Sequence, residues 1–253
     1  MIGTLKHAYG DHVHIIDDPY FATLLADLSS KDTTQPRLNW LLTALYKGLL
    51  GHVFSHEFPT KTQKFITRMN EPLVNDFLDP GTKVVTVDIA RAGIMPSMVA
   101  YELLNMVLNP AGVRQDHIII QRTVGEKGKV TGAAISGTKV GGPIDGRILL
   151  FPDPMGATGS SLTEVMRFYL KRGEPLKMIS LNLIITPEFI RNVHREFPDT
   201  RLYAFRLDRG LSAPEVLASK PGIYWDREQG LNDRQYIIPG AGGLGETLNN
   251  AED

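Results

Sequence analysis

The sequence predicts an α/β fold, a mostly parallel sheet flanked by helices. Three observations carry the prediction. Apolar runs rich in β-branched residues recur at KVVTVDIA (83–90), DHIIIQR (116–122), RILLFPD (147–153), KMISLNLIIT (177–186) and RLYAFRL (201–207). Segments of helical period, MPSMVAYELLNMVL, SLTEVMRFYLKRG and PEFIRNVHREF, separate several of them. Strands that alternate with helices of this length belong to parallel sheets covered on both faces. The 253 residues, 42% of them hydrophobic, suffice for the core such a sheet needs.

From the N-terminus, a short helix is expected around PYFATLLADL. From Pro36 a long one places Leu38, Leu41, Leu42, Leu45 and Leu49 on one face, with proline at a natural first position. The first 70 residues therefore read as a helical appendage to the sheet. KVVTVDIA then opens the first strand, turn and helix unit, with RAG as its turn. The interval 123–146 is too polar and glycine-rich for another core unit and is expected to form an arm or flap; 207–235 reads as a surface excursion. The whole chain, 1–253, is expected to be one domain, with 236–246 as a separate glycine-rich loop.

With 27 basic against 28 acidic side chains, the net charge gives no reason to expect a nucleic-acid or membrane-surface binder, so any anion site must be local. Absence of cysteine removes disulfides, thiolate metal sites and cysteine nucleophiles. MIGTLKHAYGDHVHIIDD has no basic-then-apolar leader pattern, and no stretch approaches the roughly 18 apolar residues of a membrane span. A cytoplasmic protein is expected. The seven histidines show no metal-ligand spacing: His12 and His14 alternate as on a strand, and His52 and His56 fit a solvated helix face.

The run RILL ends in FPDPMGATGSS (151–161). In an open parallel sheet, ligands bind beyond the carboxyl ends of strands, where the next helix presents unpaired N–H groups. Gly156 and Gly159 permit close approach and positive φ, while Thr158, Ser160 and Ser161 add hydroxyls suited to a terminal phosphate. Asp153 is repelled by phosphate but suited to accept from vicinal hydroxyls. A phosphate cradle beside a diol-gripping carboxylate describes a sugar phosphate. The same residues also fit an ordinary capped helix start.

DPMGATGSS closely resembles the phosphoribosyl-pyrophosphate (PRPP) loop of uracil phosphoribosyltransferases, usually DPMLATGGS. DIARAG (88–93), QRT (121–123) and GLNDRQYIIPGAGGLGE (230–246) follow the same family's order. The resemblance implies a type I phosphoribosyltransferase-like fold with a β-arm, and an enzyme that converts uracil and PRPP to UMP and pyrophosphate in pyrimidine salvage. It implies that Asp153 holds the ribose 2′ and 3′ hydroxyls within a PRPP site of Asp153, Pro154, Met155, Gly156, Ala157, Thr158, Gly159, Ser160 and Ser161. Arg91 and Arg122 would reach the pyrophosphate and, with Asp153, form the catalytic set; a planar, permanently charged guanidinium suits phosphate oxygens. The base would be read by main-chain groups of Ile237, Gly242, Gly243 and Leu244, because uracil presents an acceptor, donor, acceptor edge that peptides match. Mg2+ is the implied cofactor, held mainly by PRPP rather than by protein ligands. PRPP and uracil are the implied partners, with assembly as a homodimer or higher homo-oligomer through the 123–146 arm.

Two departures from the family stand out. Its PGLGDAGD becomes PGAGGLGE, so Gly243 and Glu246 replace two aspartates, the first of which ordinarily helps position PRPP and its metal; the 207–235 connection is also longer than usual. These leave two alternatives open, a non-catalytic PRPP- or nucleotide-binding regulator and a phosphoribosyltransferase for another base. Gly240, Gly242 and Gly245 spell G-x-G-x-x-G, but no βαβ unit surrounds them, so a dinucleotide reading is rejected. GATGSS lacks the Gly-Lys-Ser/Thr ending of a P-loop.

Overall fold

The computed structural model describes residues 3–124 and 130–251, with the side chains of 122–133 outside the description. In chain order the strands are β1 (Gly3–Thr4), β2 (Val13–Asp17), β3 (Thr60–Ile66), β4 (Pro72–Leu78), β5 (Val84–Ala90), β6 (Val113–Val124), β7 (Val130–Lys139), β8 (Ile148–Pro152), β9 (Met155–Gly156), β10 (Lys177–Ile185) and β11 (Arg201–Leu207). The helices are α1 (Pro19–Leu28), α2 (Arg37–Glu57), α3 (Ile94–Val107), α4 (Ser160–Leu170), α5 (Pro187–Glu196), α6 (Pro214–Leu217) and α7 (Leu244–Leu248).

Nine strands form one sheet in the order β1-β2-β11-β10-β8-β5-β6-β7, with β9 added beside β10. The strands from β2 to β6 in this order are parallel, while β1 and β7 close the edges antiparallel. The expected mostly parallel sheet flanked by helices is therefore observed. β8 is buried at every position, with Ile148 and Leu150 facing the α2 and α3 side and Leu149 and Phe151 the α4 and α5 side. Burial on both faces is why these strands read as unbroken apolar runs. Leu38, Leu41, Leu42, Leu45 and Leu49 of α2 are all buried as their spacing predicts, each contributing about 1.5–3 kcal/mol. Pro36 lies one place outside that helix, as its N-cap.

The β5–α3–β6 unit runs outward on one side, and the units from β8 run outward on the other with their helices on the opposite face. The strand order thus reverses between β5 and β8. Such a switch point opens a crevice at the carboxyl ends of its two strands, because the loops leaving them diverge to opposite faces. RAG leaves β5 there and DPMGATGSS leaves β8.

The interval 123–146, expected as an arm or flap, contains β7, antiparallel to β6, with residues 125–129 outside the description. The structure differs from expectation in two places. The first 70 residues are not a purely helical appendage: β2 pairs in parallel with β11 as part of the main sheet, and β3 with β4 forms a separate hairpin. Five residues of β2 carry too short a pattern to reveal a sheet partner nearly 190 positions away. The 207–235 interval is more than a surface excursion, since Val216 and Glu228 are buried within it. Arg209 organises it by donating to the Glu228 carboxylate at 2.8 Å and to the carbonyls of Val216, Leu217 and Ser219. Such a core is polar, so apolar periodicity does not mark it.

Candidate active site

The segment 153–161 is held from outside. Thr186 donates to the Ala157 carbonyl at 2.7 Å through its hydroxyl and to the Gly156 carbonyl at 3.1 Å through its amide. Asn192 Nδ2 donates to the Thr158 carbonyl at 2.9 Å. A trans peptide points its N–H opposite its C=O, so the amides of Thr158 and Gly159 face away from these anchors. Gly159, at φ +78°, is the N-cap of α4 and turns the chain into the helix there, a conformation that side chains resist. Thr158 and Ser160 join hydroxyls at 3.1 Å beside that helix start. The result is a rim of N–H and O–H donors at the positive end of α4, suited to an anion.

Asp153 is half-buried at the mouth of this rim. Its amide donates to the Leu181 carbonyl at 3.0 Å, its own carbonyl accepts from Asn182 Nδ2 at 2.6 Å, and its carboxylate accepts from the Met155 amide at 3.2 Å. Tyr46, fully buried on α2, donates its hydroxyl to the same Leu181 carbonyl at 3.1 Å. Burial, with the Asp153 carboxylate adding to it, holds the Tyr46 hydroxyl well above the ordinary tyrosine value, so it remains a donor.

Across the crevice, RAG turns tightly. Gly93 packs so closely that a Cβ there would lie 2.8 Å from both the amide nitrogen and carbonyl oxygen of Ile89, and 3.1 Å from the Pro152 carbonyl oxygen of β8. That packing joins the two loops and leaves the Arg91 side chain exposed. Asp88, two residues before the turn of the chain at Ala90, is buried. His117 Nδ1 lies 2.9 Å from its Oδ2, while Oδ1 has no hydrogen-bond partner among the described residues. Burial raises its carboxyl above the usual range, against the opposing hydrogen bond from His117.

The glycine-rich loop completes the ring. Ile237 and Leu244 are buried in the core, leaving only their main chain for recognition, and Gly242 lies exposed at φ +69°. The loop is anchored by buried Asp208, which accepts from the Gly240 amide at 2.8 Å and from both arms of Arg206 at 2.7 and 2.9 Å. Arg206 also donates to the Gly240 carbonyl at 2.8 Å. A Cβ on Gly245 would touch the Ala92 Cβ at 3.3 Å, and Arg91 Nη2 donates to Glu246 Oε1 at 3.2 Å.

The structure therefore brings Asp153 to Ser161, Arg91 and the 237–246 loop to one crevice. Arg122 lies on β6, with its side chain outside the described residues. Thr186, Asn192, Asn182, Tyr46, Arg206 and Asp208 were not singled out from the sequence. They act by anchoring backbone, and no spacing rule marks such a partner; only the position of Arg206 and Asp208 at the exit of the last apolar run hinted at one.

Comparison with known proteins agrees with this architecture. A family model described as uracil phosphoribosyltransferase matches residues 15–227. The uracil phosphoribosyltransferase of Thermococcus sibiricus is 27% identical over 96% of this chain and 91% of its own length. That of Burkholderia mallei is 25% identical, covering 94% of each chain. In fold, the chain is similar to the AQ2163 protein from Aquifex aeolicus, with TM-score 0.71 and 22% identity over 93% of this chain and 97% of that one. With the family model spanning most of the chain, this protein belongs to the uracil phosphoribosyltransferase family, a family of pentosyltransferases.

Proposed function

We propose that the protein transfers the phosphoribosyl group of PRPP to N1 of uracil, giving UMP and pyrophosphate, as in salvage of the free base. The observation that carries this reading is the convergence, at one switch point, of an anion-binding helix start, a carboxylate, an exposed arginine and a loop that offers only main chain. The bond between ribose C1 and pyrophosphate breaks while the bond from C1 to N1 forms, and the N1 proton leaves to solvent. Positive charge builds on the ribose ring, and no protein nucleophile is required.

In this reading the 5′-phosphate occupies the donor rim from Ala157 to Ser161, and Asp153 accepts from the two ribose hydroxyls. Arg91, joined by Arg122, neutralises the departing pyrophosphate, where fixed charge is most effective. Ile237, Gly242, Gly243 and Leu244 read the base through peptide groups, and a base that leaves them unpaired is rejected. Bound magnesium would screen charge on the pyrophosphate oxygens. The ion would be carried largely by PRPP, whose oxygens suit a hard cation.

The hairpin β3–β4 supports a homo-oligomer. Phe65, Ile66, Leu73 and Val74 on it are exposed, and a lone two-stranded ribbon is marginal in water unless something covers it. Among the described residues no helix is long and apolar enough to cross a membrane. A regulator that binds PRPP without turnover is favoured by one feature, glycine at 243. The test is release of pyrophosphate from PRPP with magnesium across a panel of free bases. Release with uracil alone is expected; release with a different base redirects the specificity, and PRPP binding without release from any base replaces the enzyme by the regulator.

A further inference from the structure

The geometry points to Glu246 as a positioning residue for Arg91, its carboxylate lying over Gly243. This inference rests on the proposed role of Arg91 at the pyrophosphate. Glu246 lies in the first turn of α7, and its partly exposed side chain turns toward Arg91. One oxygen, Oε1, accepts from Arg91 Nη2 at 3.2 Å. The other, Oε2, folds back over position 243, only 2.6 Å from where a Cβ on Gly243 would stand. A side chain at 243 would meet the far end of the Glu246 side chain, which would have to move aside. The backbone of Gly243 has φ −79°, so the glycine is not required by a positive φ. The carboxylate of Glu246 lies in the room the glycine leaves.

The consequence falls on Arg91. Its stem is exposed and free to rotate, and an unrestrained arginine loses rotamer entropy whenever it grips a ligand. One of its five N–H donors is held by Glu246, which is fixed to the base loop; the remaining donors stay available to phosphate oxygens. The contact of Gly245 with Ala92 sets the same two loops against each other beside this pair. Glu246 thereby couples the loop proposed to read the base to the arginine proposed to meet the leaving group. The opposing possibility is that the carboxylate only competes with pyrophosphate for Arg91, and it predicts the reverse sign.

PRPP binding with magnesium, measured by calorimetry in the wild type, Glu246→Ala and the double variant Gly243→Asp with Glu246→Ala, decides between them. Uracil KM of Glu246→Ala is measured in parallel. Glu246→Ala is expected to weaken PRPP about five- to tenfold, the scale of one charge-assisted contact, with uracil KM within about twofold of wild type. In the double variant an acid grows from 243 into the space the glutamate vacates, and PRPP affinity should return to within about twofold of wild type. The inference is overturned if Glu246→Ala binds PRPP as tightly as wild type or more tightly, or if the double variant is no better than Glu246→Ala. Failure of the wild type itself to bind PRPP removes the underlying reading along with it.

Discussion

Gly93→Ala isolates how the RAG turn is held. Gly93 has φ −78°, which alanine adopts without strain, so any effect of the added methyl group is steric. Its Cβ would sit 2.8 Å from the nitrogen and oxygen of Ile89 and 3.1 Å from the Pro152 oxygen, all backbone atoms of β5 and β8. Central strands buried on both faces do not yield, so the turn must. Retreat from 2.8 Å to the 3.4 Å of an ordinary contact moves RAG by about 0.6 Å, away from β8 and the Asp153 loop. Overpacking of this kind costs about 1–3 kcal/mol, which lowers Tm by about 2–10 °C in a chain of this size. A displacement approaching 1 Å at a positioning group costs up to about a hundredfold in rate. The expected variant is therefore folded, moderately less stable, and reduced in kcat/KM for PRPP by about ten- to a hundredfold. Calorimetric melting and steady-state pyrophosphate release measure the two effects. Wild-type kinetics in a folded Gly93→Ala protein would refute the claim that this close packing sets the position of Arg91.

Other predictions follow from separate parts of the molecule. Asp153→Asn should weaken PRPP use by about 1–3 kcal/mol, the scale of hydrogen bonds to a charged acceptor, while melting as the wild type does; unchanged PRPP kinetics would remove Asp153 from the ribose site. Light scattering at micromolar protein should give a mass above that of one chain, and Val74→Glu on the exposed hairpin should shift it downward; a monomer at every concentration would sink the assembly proposal. Glu57, at the end of α2, accepts from Lys177 at 2.9 Å and from the Tyr203 hydroxyl at 2.8 Å. Burial works to raise its carboxyl, but those two partners outweigh it and hold the group below the usual 4.5. A depressed carboxylate contributes stability above its unfolded value that is lost as pH falls through the folded one. Glu57→Gln should therefore cost about 1–3 kcal/mol near neutrality and progressively less below pH 4.5, and a cost independent of pH would contradict the ion-pair account.

Much of this protein is written locally. The five apolar runs became parallel strands because a strand covered on both faces needs apolar side chains in both directions, which a single pass along the chain reveals. The leucine spacing of α2 announced its buried face in the same way. DPMGATGSS is legible because the turn into a helix is built from consecutive residues, so its glycines and hydroxyls stand side by side in sequence. Other features depend on pairs that only folding brings together. Arg91 and Glu246 are 155 positions apart, and Asp208 reaches Gly240 across 32. β2 became a sheet strand because β11 offered it an open edge, and the 207–235 interval gained an interior because Arg209 met Glu228 and the carbonyls around it. Hydrogen bonds and ion pairs impose no periodicity on either partner's neighbours, whereas burial of an apolar face does. Side-chain pattern therefore foretold the scaffold, and the tertiary structure alone decided which distant groups hold the 153–161 segment, Arg91 and the 237–246 loop in register.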